Sequence, residues 1–278
     1  MKIITNINEI RNEIKKVKYL GKTIGFIPTM GYLHAGHVSL IKAAKKTCDI
    51  IIVSIFINPL QFAPNEDLDR YPRNLAGDID TCTNAGVDII FTPQSNEIVV
   101  QSCVSVSVKK LSSNLCGKSR HGHFDGVCTI ITKFFNIIQP TKAFFGKKDI
   151  QQLQIIRKLV IDLNYDIEII GIDIERNSDG LALSSRNSYL SSDELKTATI
   201  VPKSIKHIYE ELMIGKPIVN IINDATNFIN SIPICKVDYI EIVDIHNLQP
   251  ILKYQDTYII AVAIFIGKTR LIDNMIVE

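Results

Sequence analysis

Apolar residues along this chain follow two different periods, and the switches between them mark out its elements. Short apolar runs, several of them β-branched and bounded by turn residues, recur at 23–27, 50–56, 88–91, 143–146 and 167–172 and predict strands. Between them, apolar positions recur at steps of three and four, which predicts amphipathic helices over 9–17, 38–44, 76–84, 124–138 and 150–163. The punctuation agrees: Gly86 follows the third helix, Thr92-Pro93 closes the 88–91 strand, and Gln139-Pro140 ends the long helix. Residues 104–108 alternate and predict one more strand.

Strands that alternate with helices imply a parallel sheet with helical crossovers. Past Asn187 the pattern changes. Helical spacing over 193–212 and 219–232 is followed by strand-like runs at 237–242, 258–265 and 268–272, as in a small α+β unit with antiparallel strands. No glycine-rich linker separates the two patterns, so pattern alone sets the boundary near residue 176. The expected fold is therefore α/β, a Rossmann-like parallel sheet over 1–176 with a smaller α+β C-terminal domain over 177–278.

Composition narrows the partners. With 46% hydrophobic and 22% charged residues among 278, the chain is globular and not disordered. A net charge of +2 gives no argument for nucleic acid or a membrane surface, and apolar runs such as 259–266 are far shorter than a membrane span. The six cysteines form no C-x-x-C pair, several lie in apolar runs, and the first residues do not read as a signal peptide. A reduced, cytoplasmic protein is expected.

In parallel sheets ligands bind beyond the carboxyl ends of the strands, and there the chemistry-bearing residues collect. Pro28-Thr29-Met30-Gly31-Tyr32-Leu33-His34-Ala35-Gly36-His37 runs from a buried strand through a tight loop into a helix. A helix start presents unpaired N–H groups and the positive end of the macrodipole, which favour phosphate. Gly31 and Gly36 allow close backbone approach, and His34 and His37, three apart, share one face. This pattern predicts a nucleotide site with imidazoles directed at a triphosphate. A zinc site needs three or four ligands, and His121, His123, His207 and His246 are not spaced to complete one.

After the second strand, Asn58 and Gln61 offer neutral amides suited to a small polar acid, whereas 66–73 reads as a solvated charged turn. Lys118 and Arg120, in a glycine-rich loop before the long helix, form a candidate phosphate or carboxylate clamp. Gly146-Lys147-Lys148-Asp149 ends a strand and opens a helix. Asp149 is a candidate cap, Lys148 a candidate phosphate contact, and Gln152 lies one turn on. Ser184-Ser185-Arg186 combines two hydroxyls and an arginine in a loop, a further phosphate-gripping set.

His34-Ala35-Gly36-His37 resembles the His-x-Gly-His signature of the nucleotidyl-transferring superfamily that includes class I aminoacyl-tRNA synthetases. The longer string from Pro28 to His37, the segments around Asn58, Lys148 and Ser184, and the C-terminal runs at 237–244 and 266–274 together resemble the pantoate–β-alanine ligase family along essentially the whole chain. The resemblance implies ATP-dependent joining of pantoate to β-alanine, with AMP and pyrophosphate released through a pantoyl-adenylate. It implies catalytic roles for His37, His34, Lys148 and Arg186. ATP contacts would come from Met30, Gly31, His34, Gly36, His37, Gly146, Lys147, Lys148, Asp149, Glu175, Leu183, Ser184, Ser185 and Arg186, with Arg176 beside Glu175 on the adenine side. Pantoate and β-alanine would meet Gln61, Asn58, Arg120 and Gln152, Mg²⁺ would meet Asp78, and the family is typically a homodimer.

This chain departs from the family pattern in three places. His121 stands where proline is common, Lys147 where glutamate is usual, and Ile98-Val99-Val100 where Met-Tyr-Pro is frequent. Two other readings compete. An adenylyltransferase acting on a phosphorylated acceptor would share the histidine loop but would not need paired amides. An RNA-binding, synthetase-like module would need a basic face that a net charge of +2 does not suggest.

Overall fold

The computed structural model describes residues 1–99 and 103–278. Val100, part of the Ile98-Val99-Val100 departure, lies outside the described residues. The chain divides into two compact units, one of Met1–Val108, Arg120–Lys147 and Ile155–Asp173, the other of Lys109–Ser119, Lys148–Gln154 and Ile174–Glu278.

The first unit is built on six strands among the described residues: β1 (Lys2–Ile4), β2 (Ile24–Thr29), β3 (Ile50–Ile55), β4 (Ile89–Phe91), β5 (Lys142–Gly146) and β6 (Glu168–Ile172). Every pairing is parallel, in the order β1-β4-β3-β2-β5-β6. From β2 the chain winds outward through β3 to β4 on one side, and on the other side β5 leads to β6. The sheet thus reverses direction between β2 and β5, and the crevice at the carboxyl ends there is where such folds bind ligands. This is the Rossmann-like sheet the alternating pattern implies.

Successive strand residues point to opposite faces, so both faces of this sheet need cover. On one face Leu40, Ile41 and Ala44 of the Ala35–Lys45 helix cluster with Ile27, Ile51, Val53, Ile90 and Phe144. On the other, Phe134 of the His123–Ile138 helix makes edge contacts with Phe26, Phe56 and Phe91 at centroid distances of 5.9, 5.9 and 6.0 Å. Phe26 and Ile27 are neighbours in β2, and they seed the two cores.

The second unit carries an antiparallel sheet of β7 (Cys235–Asp244), β8 (Tyr258–Ile266) and β9 (Thr269–Val277), in that order. Ile240, Ile242, Ile260, Val262 and Ile264 form one core with Val201, Ile205 and Ile208 of the Ile200–Met213 helix and Ile221, Ala225 and Ile229 of the Ile218–Asn230 helix. The smaller α+β unit is as the change in pattern implies.

Three elements differ from the sequence pattern. Residues 104–108 form no strand. The amides of Val106 and Val108 donate instead to Thr129 Oγ1 and Asp125 Oδ1 of the His123–Ile138 helix, at 2.9 and 2.7 Å. The helical run over 193–212 is two helices, Ser192–Ala198 and Ile200–Met213. Pro202 lacks an N–H and is tolerated only in a first turn, which places the break just before it. Strand β1, three residues with Ile4 alone buried, is too short to show any period.

Candidate active site

In the first unit the histidine loop leaves β2 at Thr29 and enters its helix at Ala35. His34 caps that helix. Its Nδ1 accepts the Gly36 N–H at 3.1 Å, and His37 Nδ1 accepts the His34 N–H at 3.2 Å. A ring nitrogen that accepts a main-chain N–H carries no proton, so the proton of each neutral imidazole sits on Nε2. The two rings lie 4.2 Å apart. The loop thus presents two Nε2–H donors at a helix start, a suitable arrangement for anionic oxygens.

The loop is held by a carboxylate. Asp78, on the Leu75–Ala85 helix and 3% exposed, accepts the N–H of Tyr32 on Oδ2 at 2.9 Å and that of Leu33 on Oδ1 at 2.6 Å. Gly31 and Tyr32 both have positive φ, and a Cβ on Gly31 would approach Asp78 Oδ2 to 2.9 Å. Glycine is therefore required there. The resemblance assigns Asp78 to Mg²⁺. Its two oxygens are instead engaged by the backbone in a buried niche. The residues present do not fit a Mg²⁺ site built on Asp78, which here anchors the loop.

At the end of β3, Asn58 caps the short 3-10 turn Pro59–Gln61. It is 2% exposed, and both ends of its amide are occupied: Oδ1 accepts Leu60 N–H, while Nδ2 donates to Gly126 O and to Gln61 Oε1 at 3.1 and 3.0 Å. Asn58 therefore orients Gln61 and is not exposed to a ligand itself, which corrects the substrate contact expected of it. Gln61 is left with Nε2 directed at Met30 Sδ, 3.1 Å away. A thioether is a weak acceptor, so a hydroxyl or carboxylate oxygen would compete for that N–H.

The carboxylate that Arg120 grips in this structure belongs to the chain itself. Arg120 Nε and Nη2 donate to the two oxygens of Glu66, both at 2.6 Å, in a fork-like pair. Burial pushes the Glu66 carboxyl up, but the hydrogen bonds and charge of Arg120 outweigh it and hold the group below the ordinary glutamate value. Glu66 and His123 both escaped sequence reasoning. Glu66 sits in a charged run that reads as surface, and His123 was weighed only as a zinc ligand. Gly146 ends β5, and Lys147 just beyond it pairs with Asp173 at 2.6 Å.

The second unit holds the remaining candidates. Lys148 lies 3.8 Å from Asp149, and its main-chain oxygen accepts from Asn274 Nδ2. Gln151 is 4% exposed, and its amide donates to Leu111 O and Asn114 O at 2.9 and 2.8 Å, a structural role. Gln152, one residue on, is half-buried. Ser184 caps the 3-10 turn Ser185–Tyr189 by accepting Arg186 N–H at 3.3 Å, Ser185 is buried, and Arg186 and Leu183 are half-buried. Glu175 O accepts Leu183 N–H at 2.9 Å. Arg176, expected near adenine, instead donates to Asp273 at 2.6 and 2.9 Å and to Gly180 O at 2.9 Å. Asp273 lies in a strand that also holds Thr269, Arg270 and Asn274, so its burial leaves no distinct mark in the sequence.

Two buried thiols are unsuited to act as nucleophiles. Burial pushes Cys82 and Cys128 up to about 12, so both stay protonated.

Fold and site together place the chain among α/β proteins of the Rossmann-like type, with the histidine loop and the Asn58–Gln61 turn just beyond the carboxyl ends of β2 and β3. The sequence profile of the family "Pantoate-beta-alanine ligase" matches residues 2–276. A pantothenate synthetase of Clostridium botulinum is 51% identical over 276 residues, which is 99% of this chain and 98% of that protein. One of Fervidobacterium nodosum is 49% identical over the whole of both chains. Among solved structures, pantothenate synthetase of Thermus thermophilus superposes with a TM-score of 0.93 at 36% identity, covering 99% of each chain. The pantoate-beta-alanine ligase of Francisella tularensis, solved with β,γ-ATP and β-alanine, gives 0.82 at 37% identity over 99% of this chain and 97% of its own. The chain belongs to the pantoate–β-alanine ligase family.

Proposed function

We propose that this ligase joins pantoate to β-alanine in two half-reactions at the expense of ATP. A pantoate carboxylate oxygen attacks the α-phosphorus, the bond to the bridging oxygen breaks, and pyrophosphate leaves. The β-alanine amine then attacks the acyl carbon of the pantoyl-adenylate, loses a proton and expels AMP. The observation that carries this reading is the meeting of two loops in the first unit: Gln61 Nε2 stands 3.1 Å from the sulfur of Met30, the residue that opens the histidine loop. A donor for a hydroxy acid thereby adjoins donors for phosphate.

His34 and His37, with their Nε2–H groups, stabilise the negative charge that grows on the phosphoryl oxygens, together with Lys148 and Arg186. Met30, Gly31, Gly36, Gly146, Lys147, Asp149, Glu175, Leu183, Ser184 and Ser185 complete the ATP contacts. Gln61 and Gln152 hold pantoate through neutral donors that leave its carboxylate nucleophilic. The boundary near residue 176 is finer in the structure: 109–119 and 148–154 belong with 174–278 in the second unit, which therefore carries Lys148, Gln152 and the Ser-Ser-Arg loop, while the first unit carries the histidine loop and Gln61. The enzyme works as a homodimer in the cytoplasm; the absence of any disulfide among its six cysteines accords with a reducing compartment.

The test is isotope exchange. With ATP, Mg²⁺ and pantoate but no β-alanine, the enzyme exchanges labelled pyrophosphate into ATP. Exchange that strictly required β-alanine would rule out a separate adenylation step. The absence of pantothenate when all substrates are supplied would reject the function.

A further inference from the structure

The 3-10 turn that presents Gln61 is fastened to the start of the His123–Ile138 helix by contacts no part of the chemistry above uses. His123, 8% exposed, has its Nδ1 2.8 Å from the main-chain oxygen of Gln61 and its Nε2 3.0 Å from Arg120 Nη1. A guanidinium can only donate, so Nε2 must accept, and the ring proton sits on Nδ1, where it is donated to Gln61 O. Arg120 Nη2 approaches the same oxygen at 3.4 Å, and Glu66 fixes Arg120 by its two-point pair. Arg120 and Glu66 are themselves mostly buried, with side chains 14% and 21% exposed. From the helix side, Gly126 O accepts Asn58 Nδ2, and Gly126 lies so close to Leu60 O that no side chain would fit between them. The turn is thus held at three successive points, Asn58, Leu60 and Gln61.

We propose that His123, kept in its Nδ1–H form by Arg120 and Glu66, is a positioning residue for the hydroxy-acid substrate: it fixes the Gln61 backbone and so aims the Gln61 carboxamide. Asn58 sets the rotation of that carboxamide, and His123 sets where its Cα stands. Loss of the His123 donor frees the turn to shift and spreads the carboxamide over several placements, which weakens pantoate. The turn meets the ATP contacts assigned above only at Met30, through a weak thioether acceptor, so ATP binding is expected to change far less. The inference rests on the reading that Gln61 holds pantoate.

The experiment compares His123→Phe, His123→Asn and Gln61→Ala by pyrophosphate exchange, with pantoate and ATP varied separately. His123→Phe keeps a ring but removes the donor. The pantoate KM is expected to rise about tenfold or more, the scale of one lost buried hydrogen bond, while the ATP KM stays within about twofold. His123→Asn restores an N–H at the Nδ1 position and is expected to recover most of that loss, which a merely space-filling role for the ring would not allow. An unchanged pantoate KM in His123→Phe, an equal rise in both KM values, or equal effects of Phe and Asn each overturns the proposal. If His123→Phe does not fold, Glu66→Gln takes its place. It loosens Arg120 and is expected to raise the pantoate KM about threefold with the ATP KM unmoved, and no rise overturns the proposal. Gln61→Ala separates the two claims. If it leaves pantoate binding intact, the role given to Gln61 falls. If it weakens pantoate while His123→Phe does not, only the role of His123 falls.

Discussion

The histidine loop of the first unit and the Ser-Ser-Arg loop of the second are steadied by different physics. The first is anchored by its own backbone: two N–H groups enter the buried Asp78 carboxylate, and two more enter histidine Nδ1 atoms. The second is anchored at its base by formal charge. Arg176 reaches across 97 residues to Asp273 on β9, whose side chain is 1% exposed, and the 177–181 turn closes on Asn177 Oδ1. A loop tied down through its backbone amides spends only one ring nitrogen of each histidine on the anchoring. A loop tied down through a side-chain ion pair commits a cation to the scaffold, and Arg176 is that cation here.

The largest effect is expected from the lysine pair, which tests whether charge or backbone contact dominates at the phosphates. Lys147 is engaged by Asp173, a surface carboxylate 88% exposed, whereas Lys148 lies 3.8 Å from Asp149. Lys148→Ala should abolish adenylate formation, a loss of about a thousandfold or more, and Lys147→Ala should cost less than about tenfold. Pyrophosphate exchange measures both, and a more damaging Lys147→Ala would mean that the two roles are reversed.

Next come the imidazoles and their anchor. His34→Ala or His37→Ala should slow adenylation more than about tenfold, equivalent to about 1.4 kcal/mol of barrier, with thermal unfolding lowered only by the loss of a helix-cap contact, about 1 kcal/mol. Asp78→Asn turns one acceptor into a donor facing a main-chain N–H, a mismatch worth about 1–3 kcal/mol. Turnover should therefore fall by about tenfold to a hundredfold, while the Mg²⁺ concentration giving half-maximal rate stays where it was. A clear shift of that concentration would restore Asp78 as a metal ligand.

What could be read in advance follows the same division. Strands, helices and the glycines, histidines and lysines at strand ends follow local periods and turn chemistry, so β2, β3, β5 and the loops after them were legible. Anchors were not. Asp78 reaches 45 residues back to Leu33, Arg120 reaches 54 to Glu66, and Gln151 reaches 40 to Leu111. A hydrogen bond across such a separation leaves no mark on either local pattern. For this reason the local pattern of Asp78, Arg120 and Asn58 points only to ligands, while the hydrogen bonds each makes within the scaffold become visible in the fold. The expected strand at 104–108 fails for the same reason, since its amides are claimed by Thr129 and Asp125 and not by a neighbouring strand.

A smaller effect sharpens the charged half of the comparison. Asp273→Asn keeps the volume and removes the charge that Arg176 needs, at about 1–3 kcal/mol. Thermal unfolding should shift down, and amide exchange over 176–187 should quicken. An unaltered exchange rate there would show that the ion pair does not steady the loop.

The smallest expected effect concerns the one formal ion pair among the anchors of the first unit, Glu66 with Arg120. Burial raises the Glu66 pKa, and Arg120 lowers it further than burial raises it, so the folded value lies below the unfolded one. The sign follows from linkage. Such a group contributes stability that is complete above its unfolded pKa and is lost as pH falls through its folded pKa. At neutral pH the pair should be worth about 1 kcal/mol or less, given that Glu66 keeps some solvent contact. Glu66→Gln should therefore be slightly less stable than the parent near pH 7, and the gap should close as the pH drops through and below the ordinary glutamate range. Thermal melts of both proteins across that series measure the difference directly. Carboxylates elsewhere with lowered values, such as Glu13 and Asp49, titrate alike in both proteins and cancel. A gap that stayed constant with pH would mean that Glu66 holds Arg120 through shape alone, and the anchoring of the first unit would then owe nothing to this ion pair.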